Sequence, residues 1–246
     1  MASAIICHEN GIHLDGVVIA EVMFSHEKNI SAEHPKHVEW LYNTAIPTLE
    51  KQFGFDVIVL RADEDYVGHF NKRITRSSVP QRVGKKHGFV IASMCALRRD
   101  CKMRPLDKWC KQQGDFEKIL GIAYDDKKRL DSLHKQKNAR SVLEEFMVTE
   151  EMTYDIDRKY NLLSPFYELG RKRQGCWFCQ NASVKEMAAF AKDYPDLWNE
   201  LRKLANDTEV ASPNFSYGKT FQTIDDEISL INDQVSFFDF VECGSE

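Results

Sequence analysis

Two apolar, β-branched runs separated by an amphipathic helix constrain this chain more than anything else in it. Val17-Val18-Ile19-Ala20-Glu21-Val22-Met23-Phe24 and Phe55-Asp56-Val57-Ile58-Val59-Leu60 are short and almost continuously apolar, as strands covered on both faces of a parallel sheet are. Between them His34-Pro35 opens a helix with apolar positions at Val38, Leu41, Tyr42, Ala45 and Leu49, and Pro47 predicts a bend in it. Strand, helix and strand in that order make a βαβ unit, so the fold class is α/β.

The remaining chain is punctuated in the same way. Ala2 to Glu9 reads as a short helix stopped by Asn10-Gly11. Asn71 to Phe89, with Pro80, Gly84 and Gly88, reads as an irregular connection, and Pro105 to Gln112 as a helix begun by its proline. Lys118 to Tyr124 is a third strand candidate, followed by the charged run Asp125 to Arg129. Thr149-Glu150-Glu151 is a capped start for a helix reaching about Tyr160. Ser183 to Asn206 is helical with an interruption near Pro195, and a short helical stretch near Asp225 to Ile231 lies in the polar, acidic tail.

A chain of 246 residues can bury a full core. Its net charge of −5 argues against a general electrostatic grip on nucleic acid. The segment Lys72 to Arg104 is nevertheless strongly basic, which suits an anionic ligand near the middle of the chain. The apolar runs are too short to span a bilayer, and no secretory signal is visible, so a cytoplasmic protein is expected.

Seven cysteines are present: Cys7, Cys95, Cys101, Cys110, Cys176, Cys179 and Cys243. In a cytosolic chain they point to metal or redox chemistry, or to packing, rather than to structural disulfides. Cys176-Trp177-Phe178-Cys179, after Gly175 and the basic run Arg171-Lys172-Arg173, can place both sulfurs on one metal, or form a redox pair. Cys95 and Cys101 are a second pair, and the four thiols together suit an iron–sulfur cluster or a structural zinc. Cys7 and Cys110 have helical surroundings and read as packing residues. Arg98, Arg99, Lys102 and Arg104 surround Cys101 and could hold an anionic nucleotide or sulfate. Asp125 and Arg129 follow the third strand, where open α/β sheets form ligand crevices.

Three segments together resemble the phosphoadenosine phosphosulfate (PAPS) reductase-like family. They are Gly175 to Cys179 after Leu163-Ser164-Pro165-Phe166-Tyr167-Glu168, Cys95 to Leu106 with its basic stretch and Pro-Leu, and Leu120 to Arg129. The resemblance covers roughly Ala2 to Asn206. It implies an adenine-nucleotide α-hydrolase-like parallel sheet flanked by helices, with a helical C-terminal portion. It also implies binding of ATP or PAPS, and a reaction of sulfonucleotide reduction or sulfur transfer with a thiol-reductant or sulfur-acceptor partner. Cluster-bearing relatives hold a [4Fe–4S] centre on an early cysteine pair and a late CxxC, which makes Cys95, Cys101, Cys176 and Cys179 the implied ligands, with zinc as the alternative metal. On this reading residues 1–168 form the nucleotide-binding-type core and residues 169–246 carry the CxxC segment, helices and acidic tail.

The chain departs from the family in three places. The opening strand and Ser-Gly-Gly-x-Asp-Ser loop, which cradles phosphate at a helix start, are missing, so the nucleotide core is N-terminally incomplete on this reading, by truncation or by loss. The early cysteine pair is not adjacent as in sulfonucleotide reductases. Glu242-Cys243-Gly244 resembles the family's nucleophilic tail, but no His follows it. These departures leave a second expectation beside the enzyme: a degenerate member acting as a metal-stabilised binding module.

Overall fold

The computed structural model describes residues 1–90, 95–168, 175–216 and 218–242, with 168 and 234–242 as backbone alone. The chain runs α1 (Ala2–Glu9), β1 (Val17–Glu21), β2 (Met23–Ser25), β3 (Ile30–Ser31), α2 (Pro35–Trp40), α3 (Ile46–Phe53), β4 (Val57–Arg61) and α4 (Tyr66–Asn71). It continues with β5 (Lys86–Gly88), α5 (Arg104–Gln112), β6 (Lys118–Ile119), α6 (Lys127–Leu133), β7 (Ala139–Arg140), α7 (Val142–Glu145), α8 (Glu150–Lys159) and α9 (Pro165–Glu168). Then come α10 (Val184–Asp193), α11 (Pro195–Ala205), β8 (Val210–Ser212), β9 (Asn214–Ser216), β10 (Lys219–Thr220) and α12 (Phe221–Glu242). The fold is mixed α/β with small parallel sheets. Among the described residues no helix is long and apolar enough to cross a membrane.

The chain forms two compact units, each assembled from three separate segments: residues 1–21, 34–61 and 103–174 in one, and 22–33, 62–102 and 175–246 in the other. In the first unit β1 and β4 pair in parallel from Val17↔Val57 to Glu21↔Arg61, joined by the helical segment between them as a βαβ unit requires. That segment is irregular just before Pro47, where a bend is expected. Leu41 to Ala45 form a π-helical turn between α2 and α3, because Pro47 has no N–H to donate and its ring crowds the carbonyl four residues back. Leu41, Ala45, Leu49 and Phe53 pack with Ile5 of α1, Phe55 and Leu162. Each such large side chain contributes about 1.5–3 kcal/mol by leaving water. A second parallel pair, β6 with β7, crosses over through α6. Helix α1 packs on both regions: Ile5 joins the cluster of Val17 and Ile19, and Ile6 that of Ile119.

Two expected strands come out shorter than their apolar runs. The run Val17 to Phe24 divides at Val22 into β1 and β2, where the chain passes from one unit to the other. Lys118 to Tyr124 is a strand only at Lys118–Ile119. There the Ile122 N–H donates to the Leu120 carbonyl at 2.9 Å, a tight turn that takes the chain out of the ladder.

The second unit is built on an aromatic core that includes Phe24, Tyr66, Phe70, Phe89, Trp177, Phe178, Phe190 and Trp198. Ser183 and Glu186 form a reciprocal cap at the start of α10, which fixes where that helix begins. Pro195 opens α11 after a break at Tyr194. Phe221, Ile224 and Ile228 of α12 are buried in this core, a helical stripe that carries the helix well beyond the short stretch expected near Asp225 to Ile231.

Candidate metal centre

The segment Cys176 to Cys179 is held by the two residues between its cysteines. Trp177 is 2% exposed and Phe178 4%. The Trp177 backbone N–H donates to the Ala32 carbonyl and its indole Nε1 to the Ser31 carbonyl, both at 2.9 Å. Its ring stacks on Phe190 at 5.0 Å and 8°, while Phe178 lies 4.3 Å from Tyr66. With both aromatic residues anchored, the backbone closes a turn in which the Cys179 N–H donates to the Cys176 carbonyl at 2.9 Å. Ala182 repeats that bond to the Cys179 carbonyl.

Cys176 and Cys179 then face a cavity of about 50 Å³ that Cys95, Tyr66, Leu97 and Phe178 also line. Cavities for drug-sized ligands run from about 300 Å³, so this one suits an ion or a compact inorganic centre and not a nucleotide. Cys101 is 1% exposed and lies beside that wall, its thiol donating to the Glu64 carbonyl at 3.2 Å. Burial, then the charges of Glu64, Asp100 and Asp65, push the Cys101 thiol up to about 12. Cys176 keeps partial solvent access, yet dense surrounding protein raises its thiol well above the ordinary range. Glu33 and Cys179 add to that shift and Lys102 opposes it. Both groups therefore hold their protons at neutral pH, and a metal must displace them.

These donors suit a thiophilic centre in kind, and three of the four converge on one cavity. Among the described residues, however, no three His, Cys, Asp or Glu side chains stand close enough together to hold an ion as placed. Closing the site requires the sulfurs to draw in to about 2.3 Å of a common centre.

The residues expected to hold a nucleotide fall in both units. Arg98, Arg99 and Lys102 belong to the cysteine-bearing unit, whereas Arg104, Asp125 and Arg129 belong to the other. Arg98 is exposed, and Arg99 pairs with Asp100 through Nε and Nη2 at 2.8 and 2.7 Å. Asp125 accepts the Glu150 N–H at 3.0 Å at the start of α8, and Arg129 pairs with Asp126 at 3.3 Å. Cys243 lies outside the described residues, as does the basic run Arg171-Lys172-Arg173. Cys7 and Cys110 are buried.

The sequence reading missed a second cavity of the same unit, about 330 Å³, lined by His69, Arg82, His87, Arg99 and Ser212 among others. His69 and His87 are too far apart in the chain to form a motif, and only the general basicity of Lys72 to Arg104 hinted at it. Compared with protein-family models, curated proteins and solved structures, the chain matches none.

Proposed function

We propose that this chain performs adenine-nucleotide-dependent sulfur chemistry of the PAPS reductase-like kind, reduction of a sulfonucleotide or transfer of sulfur, with an iron–sulfur centre on Cys95, Cys101, Cys176 and Cys179. The observation that carries the reading is the convergence of Cys95, Cys176 and Cys179, from two distant stretches of chain, on one small cavity. When bound, such a centre supplies a soft Lewis acid and a one-electron couple. The protein's own part is to exclude water with Tyr66, Leu97 and Phe178 and to keep Cys176 and Cys179 on one turn.

The other unit supports the nucleotide half of the reading. Its two parallel strand pairs and crossover helices belong to the architecture in which ligands lie beyond the strand C-terminal ends. A phosphate would lie at the first turn of α1, where the N–H groups of Ala2 and Ser3 have no intrahelical acceptor. The buried Ser3 Oγ has no hydrogen-bond partner there, which supports that placement. Glu21, 3% exposed at the end of β1, is neutralised by Arg61 at 2.8 Å and by the Tyr42 hydroxyl at 2.6 Å.

Anaerobic reconstitution with iron and sulfide is the test. About four iron atoms per chain, lost in Cys176→Ala and Cys95→Ala, is the expected outcome, with calorimetric binding of ATP or PAPS alongside. Stoichiometric zinc without iron, and no nucleotide binding by folded protein, would replace this reading with that of a zinc-stabilised binding module.

A further inference from the structure

We propose that the larger cavity of the cysteine-bearing unit binds a phosphate- or sulfate-type oxyanion, held by Arg82, Arg99, His69, His87 and Ser212. This site is separate from the cysteine pocket and does not depend on the metal. Its volume, about 330 Å³, is within the range of small-molecule sites. Two guanidinium groups, two imidazoles and one hydroxyl line it, and among the described residues no carboxylate does. The His69 and His87 rings are 5.0 Å apart. Arg82 brings a permanent charge to this lining with no carboxylate paired to it among the described residues, and an anion would answer that charge.

The surrounding ion pairs sharpen the argument. Three cations at the root of the 72–87 excursion are neutralised: Lys72 by Glu64 at 3.0 Å, Arg73 by Glu209 at 2.8 Å, and Lys86 by Asp207. Arg82, which lines the cavity, makes no ion pair among the described residues. Arg99 spends Nε and Nη2 on Asp100 and retains Nη1 as a donor. The Arg82 fork matches the geometry of a tetrahedral oxyanion, and Arg99 Nη1 adds one further donor. A cation would be a poor occupant, because a two-histidine site beside two guanidinium groups offers a metal too few ligands and the wrong field.

The wall of the cavity is rigid where it must be. Gly88 adopts φ +78, and a Cβ there would lie 2.5 Å from the Ser212 carbonyl oxygen and 2.9 Å from Val210 Cβ. That close approach of β5 to β8 has the register Lys86↔Val210 and Gly88↔Ser212, which sets His87 opposite Ala211, with the Phe89 N–H donating to the Ser212 carbonyl at 3.1 Å. Val90 and the segment Cys95 to Arg99 contribute to both cavities. Cys95 and Leu97 line one, Ala96 and Arg99 the other, and Val90 both.

The test is calorimetric titration of the full, metal-free chain with inorganic phosphate, inorganic sulfate and glycerol phosphate. Saturable binding is expected, weakened about tenfold or more in Arg82→Gln and in Arg99→Gln, and unchanged in the control Lys185→Gln, at an exposed position of α10 that lines neither cavity. Tighter binding of glycerol phosphate than of the inorganic ions identifies an ester ligand, and equal binding a free ion. Arg82 is exposed, so its replacement leaves the fold intact; a near-ultraviolet circular dichroism spectrum like that of the unaltered chain checks this. Absence of saturable binding by all three probes, or equal binding by Arg82→Gln and the unaltered chain, overturns the proposal. Because no metal is present, that failure is distinct from failure of the iron–sulfur reading.

Discussion

The two cavities of the cysteine-bearing unit share a wall and have opposite chemistry. One is small, lined by thiols and aromatic rings, with its anchors buried nearly completely. The other is several times larger and cationic, and Arg82 and Arg99 reach it from exposed positions. Burial makes the first a place where charge is suppressed: Cys101 and Cys176 keep their protons, and a positive ion must replace them. Exposure keeps Arg82 charged in the second, with no ion pair among the described residues, and an anion would answer that charge. One segment, Cys95 to Arg99, thus serves two sites, Cys95 and Leu97 lining the first and Ala96 and Arg99 the second.

The strongest way to break this comparison is Trp177→Ala. The indole is buried, stacked on Phe190 and bonded through its Nε1–H to the Ser31 carbonyl, so its loss should cost about 3–5 kcal/mol in urea unfolding. Iron uptake should vanish at temperatures where phosphate binding survives. Loss of both together would show that the two cavities are one cooperative structure. Gly88→Ala is the converse experiment and the next largest in effect. A side chain at positive φ that also meets the Ser212 carbonyl should cost about 1–3 kcal/mol. It should reduce phosphate affinity and leave iron uptake as it was. Equal affinity in the variant would mean that the β5–β8 contact does not shape the basic cavity.

Much of the fold was legible because it rests on local physics. Thr149 and Ser183 mark helix starts by accepting a backbone N–H, as their side chains do at 3.4 and 3.3 Å. Pro47 and Pro195 mark an irregular turn and a break for want of an N–H. The CxxC pair was legible as chemistry, while its placement beside Cys95 depends on Trp177 and Phe178 packing against residues far away in sequence. The basic cavity was legible only as an excess of Lys and Arg. Which of those cations are neutralised depends on Glu64, Glu209 and Asp207, and no spacing rule connects them. The interleaving of the two units has no linear signature either, since Val17 to Phe24 reads as one continuous strand although the chain changes unit within it.

The smallest effect concerns what holds the wall of the basic cavity, exposed ion pairs in place of the aromatic packing beside the cysteines. Lys86, at the start of β5, donates to Asp207, whose other oxygen accepts the Glu209 N–H at 2.8 Å. The Lys86 bond, then the Glu209 bond, hold the Asp207 carboxyl below the usual carboxylate range. A depressed folded-state value means the stabilisation is complete above the unfolded value, about 3.9, and is lost as pH falls through the lower folded one. Asp207→Asn retains Oδ1 as acceptor for the Glu209 N–H and puts an amide donor in place of the Oδ2 that accepts from Lys86, removing that ion pair. It should therefore cost about 0.2–1 kcal/mol at neutral pH, and the difference from the unaltered chain should vanish in acid unfolding. A difference that persisted below the folded Asp207 value would assign the effect to lost hydrogen-bond geometry. No difference at neutral pH would mean that this ion pair is solvated and that the β5–β8 ladder alone holds the cavity wall.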